Sequence, residues 1–261
     1  MEKEKKISLE DAKRMQTEML KSFHDFCIEN DIKYFLAYGS LLGAIRHKGY
    51  IPWDDDVDIM IPYSEFEKLS KVYCSDRYPV ISCNNNKEHS FPFARIYDAK
   101  TYKKIGKYEA LGLFIDIYII YGAPNTPSIL SKYLKLMGRL NSINSLFPRI
   151  RRRLVRYKLW PKRTLDFELQ NMFCKYVVKK NKKYVFEECE KSYIHNGKYL
   201  KVYPRYLFEK AVLAPFDNYN FQIPVGYDEF LRITYGDYMK LPPENMRFPY
   251  HGNDGCFVKE K

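Results

Sequence analysis

Residues 38–62 read YGSLLGAIRHKGYIPWDDDVDIMIP, and this stretch decides the fold. Asp54, Asp55, Asp56 and Asp58 fall within five positions and run directly into Ile59, Met60 and Ile61. The apolar triplet reads as a buried strand, and an unpartnered carboxylate at its mouth costs of order several kcal/mol. Neighbouring carboxylates also repel one another. Something positive is therefore required there.

The flanking sequence supplies a frame. IKYFLAYGS reads as a strand ending at Gly39-Ser40, LLGAIRHKG as a short helix stopped by Gly49, and Val57–Ile61 as the next strand. Ser8 followed by Asp11 resembles a capping box, and Leu9, Ala12, Met15, Met19, Phe23 and Phe26 repeat at helical spacing, which predicts a helix over 9–30. Ser64 and Glu67 suggest a second capping box, opening a helix over EFEKLSKVYC. FPFARIYDA and LGLFIDIYII follow as strands. This order predicts an α/β (α+β) fold with a mixed sheet flanked by helices. Beyond Pro124 the pattern turns helical over SILSKYLKLMGRLNSIN and RTLDFELQNMFCKYVVKKN, and FDNYNFQIP reads as a short strand or loop before a helix at Tyr227–Thr234. We expect a catalytic core over 1–123 and a mainly helical C-terminal portion over 124–261, packed on it.

The net charge of +12 is concentrated in one place. No acid occurs between Ile117 and Leu165, and eleven basic residues lie in the segment 131–163. The N-terminus has no apolar signal region, and no apolar run approaches a membrane span. The six cysteines include no C-x-x-C pair, so neither zinc nor a disulfide framework is expected. These features predict a soluble, cytoplasmic protein.

If the extension begins at Pro52, alternation places Asp54, Asp56 and Asp58 on one face and turns Asp55 to the other. Same-face carboxylates at a strand end suit a hard divalent cation such as Mg²⁺ (or Mn²⁺), completed by a third carboxylate. Asp116 in LGLFIDIYII is the candidate, although a hydrogen-bonded core aspartate or an ion pair with Arg95 would explain it equally. Gly39-Ser40, at a strand-to-helix turn, would let backbone N–H groups approach a phosphate. A phosphate cradle beside a divalent metal is what phosphoryl-group transfer needs.

YGSLLGAIRHKGYIPWDDDVDI closely resembles the signature of the LicD family, whose relatives include fukutin and fukutin-related protein, and the Gly-Ser…Asp-x-Asp pattern is similar to the wider nucleotidyltransferase superfamily. FIDIYII resembles the family's third-carboxylate strand, and YGDYMKLPPE a C-terminal element. The resemblance implies a nucleotidyltransferase-like core that transfers phosphocholine, or a related polyol phosphate, from a CDP-linked donor such as CDP-choline to a cell-surface glycan. It implies Asp56, Asp58 and Asp116 as catalytic metal ligands, with Asp54 beside them, and Gly39 and Ser40 at the donor phosphates.

Other residues carry smaller expectations. Arg46 and Lys48 would neutralise the diphosphate, with His47 between them. Trp53 would stack on a cytosine or line a choline pocket. Arg95 would face the site or pair with Asp98. Asp237 and His251 lie in motif-like surroundings without an assigned role. The basic segment 131–163 suits docking to an anionic membrane surface, where lipid-linked glycan acceptors are held at the inner face. No nucleic-acid module accompanies it. Two rival readings are a nucleotidyltransferase releasing pyrophosphate from an NTP, and a non-catalytic polyanion-binding protein.

Overall fold

The computed structural model describes residues 5–82, 85–86, 93–105, 108–122, 191–196, 199–249 and 255–259. The chain divides into two compact units, one of Met1–Ile81, Arg95–Ile119 and Tyr206–Lys261, the other of Ser82–Ala94 and Ile120–Arg205. The predicted helices over 128–144 and 163–181 and the basic segment 131–163 lie outside the described residues.

In the first unit α1 spans Leu9–Glu29, and the Ser8 hydroxyl accepts the Asp11 N–H at 3.0 Å, as the capping box requires. The buried face of α1 carries Ala12, Met19, Leu20, Phe23 and Cys27, and also the polar Gln16 and Thr17. Then follow β1 (Phe35–Leu36), α2 (Tyr38–Arg46), β2 (Asp58–Pro62), α3 (Tyr63–Val72), β3 (Val80–Ile81), β4 (Ala94–Tyr97), β5 (Thr101–Ile105), β6 (Tyr108–Leu111) and β7 (Phe114–Gly122). The sheet order is β1-β2-β7-β4-β3, so β7 lies between the aspartate strand β2 and the Arg95 strand β4. The α+β class with a mixed sheet is what the chain builds.

The second unit holds the end of β7 with the hairpin β8 (Lys191–Asn196) and β9 (Tyr199–Pro204), in antiparallel register Ile120↔Ile194 and Ser192↔Tyr203. Back in the first unit come the hairpin β10 (Ala211–Phe216) and β11 (Tyr219–Pro224), α4 (Tyr227–Tyr235) and β12 (Cys256–Val258). β12 joins β5 and β6 in a three-stranded sheet of order β12-β5-β6. Among the described residues, no helix is long and apolar enough to cross a membrane.

Three local readings change. Gly39 and Ser40 sit in the first turn of α2 rather than at a strand end, because Ala37 is the extended cap residue and Tyr38 already opens the helix. Tyr38 takes φ 41, a costly value for a side chain of that size. Its buried ring packs edge-on to Tyr118 at 5.1 Å and against Phe230 at 6.1 Å, which holds it there. Residues 51–57 form a loop, with the Asp54 N–H closing a turn on the Ile51 carbonyl at 2.9 Å, and the strand begins only at Asp58. Pro52 in this turn has no N–H to offer a ladder. Finally, Pro62 rather than Ser64 precedes the first residue of α3, without a side-chain cap bond.

Candidate active site

The site grows from the junction of α2, the 51–57 loop and β2. Ala37 donates its N–H to the Asp58 carbonyl at 2.9 Å, while the Asp58 N–H donates to the buried Ser40 hydroxyl at 2.9 Å. Ser40 therefore fastens the first turn of α2 to the first residue of β2. A Cβ at Gly39 would lie 2.6 Å from Asp54 Oδ2, so glycine is what lets the Asp54 carboxylate lie against the helix. One residue on, the Asp55 N–H bonds Asp54 Oδ1 at 3.2 Å.

Because 51–57 is a loop, side-chain alternation does not govern it, and the expectation that Asp55 turns away is corrected. Asp55 is fully buried, and carboxylate oxygens of Asp54, Asp55 and Asp56 lie within 4.8 Å of one another. Oxygens on opposite sides of one hard cation stand roughly 4–5 Å apart, twice a metal–oxygen bond. The donor set is all carboxylate, the chemistry that Mg²⁺ or Mn²⁺ prefers.

Asp58 and Asp116 belong to the same field. Burial, then repulsion from Asp56, Asp116 and Asp54, raises the Asp58 carboxyl well above its ordinary value, and Arg95 opposes the rise. Asp54 is pushed up to about 7, first by burial and then by Asp56. Asp116 is placed by β7, whose backbone donates from its N–H to the Val57 carbonyl at 3.2 Å. Arg95 Nε donates to Asp116 Oδ1 at 2.5 Å, and the Arg95 guanidinium lies 4.0 Å over the Phe114 ring. Of the two partners considered for Arg95, the structure selects Asp116. Asp98 is taken by Arg77, at 2.6 Å.

Arg95 is one positive group at the carboxylates, and Lys13 of α1 is a second. The Lys13 ammonium donates to the Pro52 carbonyl at 3.1 Å and lies 5.2 Å over the Tyr50 ring. Burial lowers its pKa while Asp54, Asp55 and Asp217 pull the other way. Its helix neighbours extend the clamp, Gln16 donating to the Phe114 carbonyl at 3.1 Å and Thr17 to Asp217 Oδ2 at 3.3 Å. The sequence pattern did not single out Lys13; its one signal is the polar pair Gln16 and Thr17 on an otherwise apolar helix face.

The remaining expected residues are arranged differently. Arg46 donates to the Tyr238 carbonyl at 2.7 Å and to His47 Nε2 at 2.9 Å. Trp53 meets the His47 ring edge-on at 6.2 Å and has the Arg247 guanidinium over it at 5.4 Å. Lys48, at φ 63, donates from its ammonium to the Ile45 carbonyl near the end of α2, at 3.2 Å. Asp237 accepts the Lys240 N–H on its carbonyl at 3.1 Å, and His251 lies outside the described residues.

The LicD/FKTN/FKRP nucleotidyltransferase domain matches residues 31–160, a span that holds all five aspartates and Arg95 but neither Lys13 nor Arg247. The chain belongs to the LicD family. It is 31% identical to the lipopolysaccharide cholinephosphotransferase LicD of Haemophilus influenzae, over 95% of this chain and 97% of that protein. An uncharacterized protein of Rickettsia prowazekii is 42% identical over 55 residues, 21% of each chain. One from Rickettsia typhi is 46% identical over 48 residues, 18% of this chain and 16% of that protein.

Proposed function

We propose that this protein transfers phosphocholine, or a related alcohol or polyol phosphate, from a CDP-linked donor to a hydroxyl of a cell-surface glycan, releasing CMP. The observation that carries the proposal is the trio Asp54, Asp55 and Asp56, with Asp58 and Asp116 in the same electrostatic field, in a chain that matches a cholinephosphotransferase across 97% of that relative's length. Asp54, Asp55 and Asp56, with Asp58 and Asp116, would hold Mg²⁺ or Mn²⁺. Such a cation, when bound, lowers the charge on the diphosphate and stabilises the oxygens that develop charge during transfer.

The chain's own residues do the rest. The acceptor oxygen bonds to the phosphorus that carries the alcohol, the bond from that phosphorus to the CMP oxygen breaks, and the hydroxyl proton passes to a carboxylate of the cluster. Ser40 fixes Asp58, Gly39 leaves room for Asp54, and Arg95 orients Asp116 through the ion pair. Lys13 offsets part of the negative charge of the loop. We further propose that the protein works at the inner face of the membrane, its basic segment 131–163 bringing it to lipid-linked acceptors.

The domain name of the family keeps one second reading in view, attack on the α-phosphorus of an NTP with pyrophosphate release. A panel of CDP-choline, CDP-polyols, CTP and ATP, each with a glycan acceptor and Mg²⁺, separates the two. Release of CMP from a CDP-alcohol supports the proposal. Pyrophosphate from CTP or ATP, with every CDP-alcohol left intact, overturns it.

A further inference from the structure

Beside the carboxylates lies a second charged cluster, of opposite sign and built differently. Arg46 ends α2, and its guanidinium donates to the Tyr238 carbonyl at 2.7 Å and the Lys240 carbonyl at 3.5 Å. Arg247 donates from Nε to the Pro242 carbonyl at 2.9 Å and lies over the Trp53 indole. His47 joins the two, accepting from Arg46 Nε and meeting Trp53 edge-on. Arg247 and His47 thus meet one flat ring, and Arg46 is linked to it through His47.

The charges are not balanced from within. Among the described residues no carboxylate lies within ion-pair distance of Arg46, and Arg247 has only Glu244 at 4.0 Å. The Glu244 side chain is 91% exposed, which makes it a weak partner. Backbone carbonyls orient the two guanidiniums without neutralising them. Like charges drawn together in this way call for an anion from outside, the same requirement that the aspartates make for a cation.

The anion is identified by the ring beside it. Guanidiniums fork onto phosphate oxygens, and an indole offers a stacking face to a planar base. A nucleoside monophosphate presents both, whereas a phosphate on a glycan presents no flat ring. Trp53 also directly precedes Asp54, so a nucleotide held on it sits at the entrance to the carboxylate loop.

We infer that Arg46, Trp53 and Arg247 form the nucleotide subsite, gripping the CMP portion of the donor and the CMP that leaves. This rests on the CDP-linked donor of the preceding section. It brings the YGDYMKLPPENMR segment, residues 235–247, into the site as the strap that carries Arg247.

Binding of CMP, cytidine and inorganic phosphate to the full-length protein in EDTA, followed by calorimetry, tests the subsite without chemistry or metal. The wild type should bind CMP. Arg247→Gln should weaken CMP by roughly tenfold to a hundredfold, the worth of a charge-assisted phosphate contact, and leave cytidine unchanged. Trp53→Leu should weaken CMP and cytidine together and spare phosphate. Arg247→Lys, which keeps the charge without the fork, should fall between, and this guards against misfolding of the glutamine variant. CMP binding by Arg247→Gln and Trp53→Leu at wild-type strength, with CDP-alcohol turnover intact, overturns the subsite and leaves the proposed function standing. Failure of any CDP-alcohol to turn over, while phosphate still binds in an Arg247-dependent way, overturns the donor assignment instead.

Discussion

The two charged clusters, which meet in the chain at Trp53 and Asp54, obey the same rule by opposite means. Four of the aspartates come from one loop and strand and the fifth, Asp116, from β7, and the protein partly answers them itself with Lys13 and Arg95. The arginine cluster joins residues two hundred positions apart, and among the described residues it is met by carbonyls, His47 Nε2 and one exposed glutamate. A cluster with built-in counter-charge can persist before its ligand arrives, whereas one without it leans on the ligand. The difference teaches which charges organise the fold and which await substrate.

The largest effect is expected at the carboxylates. Asp58→Asn and Asp56→Asn should each lower CMP release by more than about a hundredfold, because ligand loss exceeds the usual cost of disturbing a ligand's support. Asp55→Asn should fall with them, since the loop brings its oxygens to the others. Wild-type turnover in Asp55→Asn would restore the strand register and remove Asp55 from the site.

Next comes the internal counter-charge. Arg95→Leu leaves the half-buried Asp116 beside Asp58 without its guanidinium and should cost about 3 kcal/mol of stability, read from the urea midpoint. A shift under a few tenths would show that the pair contributes nothing net. Saturating Mg²⁺ should recover part of the loss.

Acidity provides a third test. The folded-state values of Asp54 and Asp58 are both raised, so the folded protein binds protons more readily than the unfolded chain. Without metal, stability should therefore fall as pH rises from about 4 to about 7, the interval between the ordinary Asp54 value and its raised one. Mg²⁺ should flatten that slope. A melting temperature that rises across the window in EDTA contradicts the direction of both shifts.

The smallest effect concerns Lys13. Lys13→Met removes a cation that competes for Asp54 and Asp55, and Mg²⁺ should then bind a few-fold more tightly by calorimetry. Weaker binding would make Lys13 a support of the loop first and a counter-charge second.

The contrast between the clusters also explains what could be read from sequence. Four aspartates beside an apolar triplet are neighbours in the chain, so charge repulsion and burial pointed to the site directly. Their exact facing was misread because Pro52 and the Ile51–Asp54 turn convert an apparent strand into a loop. Gly39 and Ser40 stand out in the sequence for a phosphate role, and the structure shows a part no pattern announces, the seating of Asp54 and Asp58. Lys13 and Arg247 were missed for one physical reason, that tertiary packing alone brings them to the loop. The β10–β11 hairpin was only half legible, as exposed Val212 and Leu213 with Pro215 break the alternation of β10. α1 and α4 were legible because a full amphipathic face repeats along each.

If these aspartates hold the divalent cation of the proposed transfer, turnover must follow the metal. CMP release from CDP-choline and a glycan acceptor, followed as Mg²⁺ is titrated into metal-free protein, tests it most directly. Release should be absent in EDTA, rise saturably with Mg²⁺, and stay flat at every Mg²⁺ concentration in Asp56→Asn. Undiminished release in EDTA, or an unchanged Mg²⁺ response in Asp56→Asn, would contradict it.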